Sequence, residues 1–532
     1  MAPTQVWCQP SLLSFMPQQL DWHTRNNSNI RMATVPSLDQ SRQRQPWSMS
    51  DLSSELLVLI FKQLHDIDSR SLASARLLSK RFDAIITPIK YEHLRLTEQI
   101  LATESQNYFP VALEKIYAHT RHVQANSDLD PRSIKRLLDR VRRLLTVRWT
   151  YVGAGFHAGD FWLPADVISS HHMQLNKTKL YIDDLPLRNF TADQQDTYLR
   201  AIPTSALVSL KLASPAPPLT NRLESLKQLL LRSRNLETFF YQDRGQGTRF
   251  TFLRDEILPA FKELVLRSYD WSHTASDVEA HWDFSRIRLL KLIDVPIFEF
   301  LRSVPFDRLV DLHTLHCDDF SAHLADRRHD ATRGLYLLVK QIRALHTLAI
   351  TCHTQHFPID GFLSHAASLQ VLRFRDHVGF SEEDRRCPTM WAADLHTLSQ
   401  RLVNLHTIEL DMDTAYCDPP LFLRALCNFP QLHTLTLHVQ TVLRALEVVH
   451  PDVDRDYDAA MHAFNTLLRD KSGTPWRSMT INVGGWKRHM VRRLSAPWRA
   501  QNARGVYAER CFVLERGTSG VMTLREEMVI DA

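Results

Sequence analysis

Glycine is scarce in this 532-residue chain, with 14 residues against 25 prolines. Few places exist where backbone could wrap closely around a phosphate, and neither G-x-x-x-x-G-K-[ST] nor a strand-linked G-x-G-x-x-G occurs. The nearest approaches, Gly153–Gly155 and Gly245–Gly247, read as turns. Cysteine is sparse too: seven residues, widely spaced and without C-x-x-C. That pattern points to free, mostly buried thiols in a reducing compartment. Charge of one sign is also lacking. Net charge is +5, from 64 basic and 59 acidic residues, with no run of five Lys/Arg, so a nucleic-acid partner is not expected. The longest dense apolar run, Leu56–Phe61, falls far short of the ~20 residues that span a bilayer, so no membrane is expected. Secretion is not indicated at the start of the sequence; its acid-poor, Arg-containing first segment leaves a mitochondrial presequence as the alternative, although no clear amphipathic helix opens it. A cytoplasmic or nuclear location follows as an expectation.

Catalytic signatures are missing as well. H-E-x-x-H and G-x-S-x-G do not occur. His171–His172, Asp183–Asp184, Asp318–Asp319 and Glu382–Glu383 fall in expected loops, where exposed polar groups mainly solubilise. Trp271, Trp282, Trp391, Trp476, Trp486 and Trp498 read mostly as core or loop anchors. The expectation is a protein that is not an enzyme, with no catalytic, cofactor or metal residues.

What is present is a repeat. Leu-His-Thr occurs at Leu312, Leu345, Leu395, Leu405 and Leu432. Around four of these lies a wider pattern, apolar-x-x-apolar-x-apolar, which also starts at Tyr91, Thr120, Leu144, Lys177, Leu207, Leu236, Phe261, Ile287, Leu369 and Trp476. The starts from Leu207 to Leu345 are 29, 25, 26, 25 and 33 residues apart. Segments Arg222–Asn235, Leu335–Ala344 and Leu421–Pro430 have helical apolar spacing just before the next pattern. Each unit therefore reads as strand, loop, helix, and neighbouring units share one core. The copy at Leu395 falls ten residues before another strand, so it belongs on a helix. His313, His346, His406 and His433 mark strand starts. Two neighbouring imidazoles, His406 and His433, fall short of a zinc set. A non-repetitive helical domain with accidental matches stays open as the alternative.

Residues 1–46 lack periodicity and read as a disordered segment. Trp47–Leu96 differs: Leu52, Leu56, Ile60 and Leu64 recur every four residues, widened by Leu57, Leu59 and Phe61. Ser53 is placed to cap this helix. A second helix after Asp68/Ser69 should present Leu72, Ala75, Leu78, Phe82 and Ile85/Ile86 and stop at Thr87-Pro88. Fifty residues build too little core to stand alone, so a surplus apolar face needs a partner.

"DLSSELLVLIF…SLASARLLSKRF…TPIKYEHLRL" resembles the F-box of fungal F-box proteins, through Leu52, Glu55, Leu56, Ile60, Phe61, Leu64, Leu72, Leu77, Leu78, Ser79, Lys80 and Phe82. Ser53 stands where the family usually has proline, in the adaptor-contacting loop. The repeats resemble divergent leucine-rich repeats whose consensus Asn or Cys is missing; Gln440 stands there instead. The implied fold is α/β: a short helical F-box over 47–90, then an irregular leucine-rich-repeat solenoid over 91–516 with a parallel sheet on its concave face, and a tail over 517–532. The implied function is substrate recognition in an SCF-type (cullin–RING) ubiquitin ligase. A Skp-type adaptor, and through it a cullin, would be bound by Leu52, Ser53, Leu56, Ile60, Phe61, Leu78 and Phe82. The solenoid would hold a protein substrate, whose identity the sequence does not reveal. A non-catalytic F-box scaffold acting outside ubiquitination is the alternative.

Overall fold

The computed structural model describes residues 49–527, apart from 106–107, 153–166, 168–172, 174–176, 188–191, 214–222, 244–247, 319–324, 378–386, 440–453, 484–509 and 518. The N-terminal segment read as disordered, His171–His172, Glu382–Glu383, Gln440, Trp486 and Trp498 lie outside the described residues. The chain divides into two units, residues 1–57 and 58–532.

The described part of the first unit is a 3-10 turn, Met49–Asp51, and the start of helix α1 (Ser54–Ile67). Ser53 caps it: its Oγ accepts the Leu56 N–H at 3.4 Å, meeting one of the donors that a helix start leaves unsatisfied.

In the second unit α1 is followed by α2 (Ser69–Ala75) and α3 (Lys80–Glu92). The expected single second helix is thus broken at Arg76–Ser79. The reason is capping, since the Ser79 Oγ accepts the Phe82 N–H at 3.1 Å and starts a new helix. Nor does Pro88 stop α3, which runs on to Glu92. Proline costs this helix one N–H donor, and burial of Ile86 and Ile89 on either side offsets it.

The rest of the second unit is a sixteen-stranded sheet in which every strand pairs with the next in sequence. The strands are β1 (His93–Arg95), β2 (His122–Asn126), β3 (Thr146–Thr150), β4 (Lys179–Leu185), β5 (Leu207–Leu212), β6 (Thr238–Gln242), β7 (Glu263–Arg267) and β8 (Leu289–Ile293). They continue with β9 (Thr314–Asp318), β10 (Thr347–Cys352), β11 (Val371–Asp376), β12 (Thr407–Met412), β13 (Thr434–Val439), β14 (Ser478–Val483), β15 (Arg510–Arg516) and β16 (Met522–Glu527). Pairing is parallel from β1 to β14. The last two strands run antiparallel, a pairing that needs no crossover, and β16 falls within the segment read as a tail.

Each of the fourteen apolar-x-x-apolar-x-apolar segments is one of the parallel strands. Helices occupy the connections where the spacing places them, including Leu223–Arg232, Arg328–Gln341 and Pro419–Cys427. Local chemistry sets their starts: Asp130 and Asp418 each precede a proline and accept the Ser133 and Leu421 N–H groups, and Thr274 with Asp277 forms a capping box. The core is laid down in rows. Leu312, Leu345, Leu369, Leu405, Leu432 and Trp476 precede their strands, and Leu315, Leu348, Leu372, Ile408, Leu435 and Met479 point inward from them; all are buried. Trp271, Trp282 and Phe300 fill the middle coils, with the Trp271 and Phe300 ring centroids 4.7 Å apart. The one-strand-per-coil order is compatible with a solenoid-like arrangement. Among the described residues no helix is long and apolar enough to cross a membrane.

Candidate functional site

Most of the residues assigned to adaptor contact are exposed. Leu56 and Ser53 are exposed in the first unit, and Leu52 is half-buried there. In the second unit α1 leaves Leu59, Ile60 and Ile67 exposed, and the turn between α2 and α3 leaves Leu77 at 88% and Leu78 at 75% exposure. Single exposed leucines are ordinary; Leu59, Ile60 and Ile67 on one helix with Leu77 and Leu78 in the turn after α2 are not. Phe61 and Phe82 require a correction. They are only 1% and 7% exposed, with ring centroids 5.2 Å apart in an edge-on contact. These two rings join α1 to α3, so they hold the helices together and do not present themselves to a partner. Four-residue spacing cannot tell the two sides of α1 apart, because apolar residues lie on both.

The histidines fall as the repeat predicts. His313, His346, His406 and His433 immediately precede β9, β10, β12 and β13, while His396 lies on the helix Ala392–Arg401. They belong to a continuous ladder. Each N–H of Arg477, His433, His406, Gln370, His346, His313, Arg288 and Lys262 donates to the carbonyl of the residue one coil earlier, ending at Glu237, over 2.7–3.1 Å. The His406 and His433 rings stack at 5.3 Å, and each turns Nδ1 to the hydroxyl of the following threonine at 2.9 Å. Among the described residues no group of three or more His, Cys, Asp or Glu side chains could hold a metal.

A polar cluster that sequence reasoning missed lies at the far ends of β11–β14. The Arg375 Nε donates to Asp411 Oδ1 at 2.7 Å, and Asp411 Oδ2 accepts the Asp376 N–H at 2.8 Å. The His438 Nε2 lies 2.8 Å from Glu409 Oε1, and its Nδ1 lies 3.4 Å from the Asn482 amide nitrogen. The Arg375 Nη1 reaches the same Nε2 at 3.0 Å, so the guanidinium and the Glu409 carboxylate meet at one imidazole nitrogen. Burial, then the Arg375 charge, keeps the His438 imidazole below its usual range. Burial works against the Glu409 carboxylate, but the His438 hydrogen bond and the Arg375 and Arg373 charges hold it at about 2. A buried, hydrogen-bonded set of this kind fixes the register of four strands. The signal for it was visible: after each Leu-x-Leu/Phe core, Arg375-Asp376, Asp411 and His438 continue the strand with polar residues.

A second group surrounds His353. Its ring is 4.2 Å from His329 and 5.1 Å from His377. Burial, then His329 and Arg328, pushes the His353 imidazole down to about 4. Burial, then Arg328 and His353, pushes His377 to about 3. The described cysteines are free thiols, buried except for half-buried Cys417, and burial raises Cys427 and Cys511 to about 11, away from nucleophilic use.

Neither a family model nor a curated protein matches this sequence.

Proposed function

We propose that the chain is the substrate-recognition subunit of an SCF-type (cullin–RING) E3 ubiquitin ligase. The exposed apolar side chains on helices whose sequence resembles an F-box carry this reading. In the second unit Leu59, Ile60, Leu77 and Leu78 are the residues a Skp-type adaptor would cover, and burying each against a partner helix returns about 1.5–3 kcal/mol. Phe61, Phe82 and Leu72 would shape that surface from beneath. The sheet supports the second half of the proposal, since one strand per coil over fourteen parallel strands suits an irregular leucine-rich-repeat solenoid. Such a unit offers a long surface to a protein substrate. Ubiquitin transfer would be performed by the recruited machinery, and this chain would raise the effective concentration of a substrate lysine near it.

Co-purification of the full chain with the adaptor and cullin tests the reading. The unaltered chain should bring down both, and Ile60→Asp with Leu78→Asp should lose both while its thermal melt stays in place. Retention of the adaptor by that variant would sink the proposal. Adaptor without cullin would favour the scaffold reading.

A further inference from the structure

The edge of the sheet at which the strands begin carries cations and N–H donors in an order the adaptor reading does not use. Parallel strands set their residues ~4.8 Å apart, so the ladder places Lys262, Arg288, His313 and His346 side by side, then His406, His433 and Arg477 beyond Gln370. At the β4–β8 end the same edge holds a recess lined by Lys177, Lys179, Arg234 and Arg286 around one carboxylate, Glu237. That carboxylate is already shared by Lys262 at 2.8 Å and Arg286 at 3.4 Å. Asp311 is shared likewise by Arg288 at 3.3 Å and Arg343 at 3.1 Å. Arg234 and Arg477 make no ion pair among the described residues, so this edge carries uncompensated positive charge.

We propose that this edge is a docking surface for an acidic protein segment, with carboxylates seated along the ladder and in the recess. Charge complementarity selects the sign, and two features select protein over nucleic acid. The next row on the sheet is mostly hydroxyls, at Thr238, Thr314, Thr347, Thr407, Thr434 and Ser478, interrupted by Leu289, Val371 and one carboxylate, Glu263, which accepts the Thr238 hydroxyl. No ring stands in that row, where a strand-binding groove would present aromatic rings for bases to stack on. Much of the ladder is imidazole, which offers a hydrogen-bond donor to a carboxylate without the dense fixed charge that phosphate backbones select. When the Thr407 and Thr434 hydroxyls donate to Nδ1, His406 and His433 carry their hydrogen on Nε2.

The test needs no adaptor, so it stands or falls apart from the ligase reading. The full chain is titrated into short fluorescein-labelled poly-L-glutamate at low ionic strength, with anisotropy as the readout. Saturable binding that weakens with salt is expected. Lys262→Glu with Arg288→Glu should weaken it about tenfold or more, and Arg234→Glu with Arg286→Glu serves if the first variant melts early. Arg401→Glu, on the helix Ala392–Arg401, should bind as the unaltered chain does. Failure to bind poly-L-glutamate, or an equal loss in Arg401→Glu, overturns the proposal. Tighter capture of single-stranded DNA of equal charge also overturns it and assigns the edge to nucleic acid.

Discussion

Between α2 and α3, Leu77 and Leu78 stand almost wholly in solvent, whereas in β13 Leu435 and Leu437 are sealed. Both pairs sit in segments of similar apolar density. The difference is what lies next in the chain. β13 pairs residue for residue with β14, from Thr434–Ser478 to Val439–Val483, and neighbouring coils cover its leucines. The helices have Phe61, Leu72 and Phe82 as their own small interior, and nothing further along the chain repeats them. Leu435 and Leu437 in the array are held on every side by their neighbours; Leu77 and Leu78 are not.

The sharpest way to break that contrast is to make one substitution in both places. Leu437→Ala should cost about 2–5 kcal/mol, the sum of lost transfer energy and a cavity the neighbouring coils cannot close. Chemical denaturation measures it, and a loss below about 1 kcal/mol would mean that the rows are not close-packed. Acidification should come next in size and act on the array alone. His273, His353 and His377 are pushed down to about 4, about 4 and about 3, chiefly by burial. The unfolded chain takes up protons on them below about pH 6.5 while the folded chain does not. Their contribution is therefore complete above about pH 6.5 and is lost as pH falls toward 4. Melting temperature should drop between about pH 7.5 and pH 5, and a flat profile would contradict the placement of these rings. The smallest effect belongs to the helices. Leu78→Ala should change stability by no more than about 0.5 kcal/mol, measured beside Leu437→Ala, while weakening adaptor capture. A large loss of stability there would show that Leu78 is packed in solution.

The strand array was legible because its signal is redundant. A spacing of apolar-x-x-apolar-x-apolar satisfies both the inward alternation of a strand and the preceding leucine that seals the coil, and it recurs fourteen times. The helical Leu395 was separable from the other copies by distance alone. The antiparallel β15 and β16 were not legible, since neither repeats the pattern. The interruption at Arg76–Ser79 and the passage of α3 through Pro88 escaped as well. Propensity is a weak prior, and a serine cap or two buried isoleucines override it.

Composition and spacing, acting through local periodicity, determined where the strands lie, which helix carries the odd histidine, and that Ser53 caps α1. Tertiary structure decided which apolar residues of the first three helices face inward. It also decided that four histidines share one edge with Lys262, Arg288 and Arg477, and that Arg375, Asp411, Glu409 and His438 meet. These outcomes join residues up to 63 positions apart, as Arg375 and His438 show. A linear pattern carries no information on which neighbour will cover a side chain; only the pairing of one coil with the next supplies it.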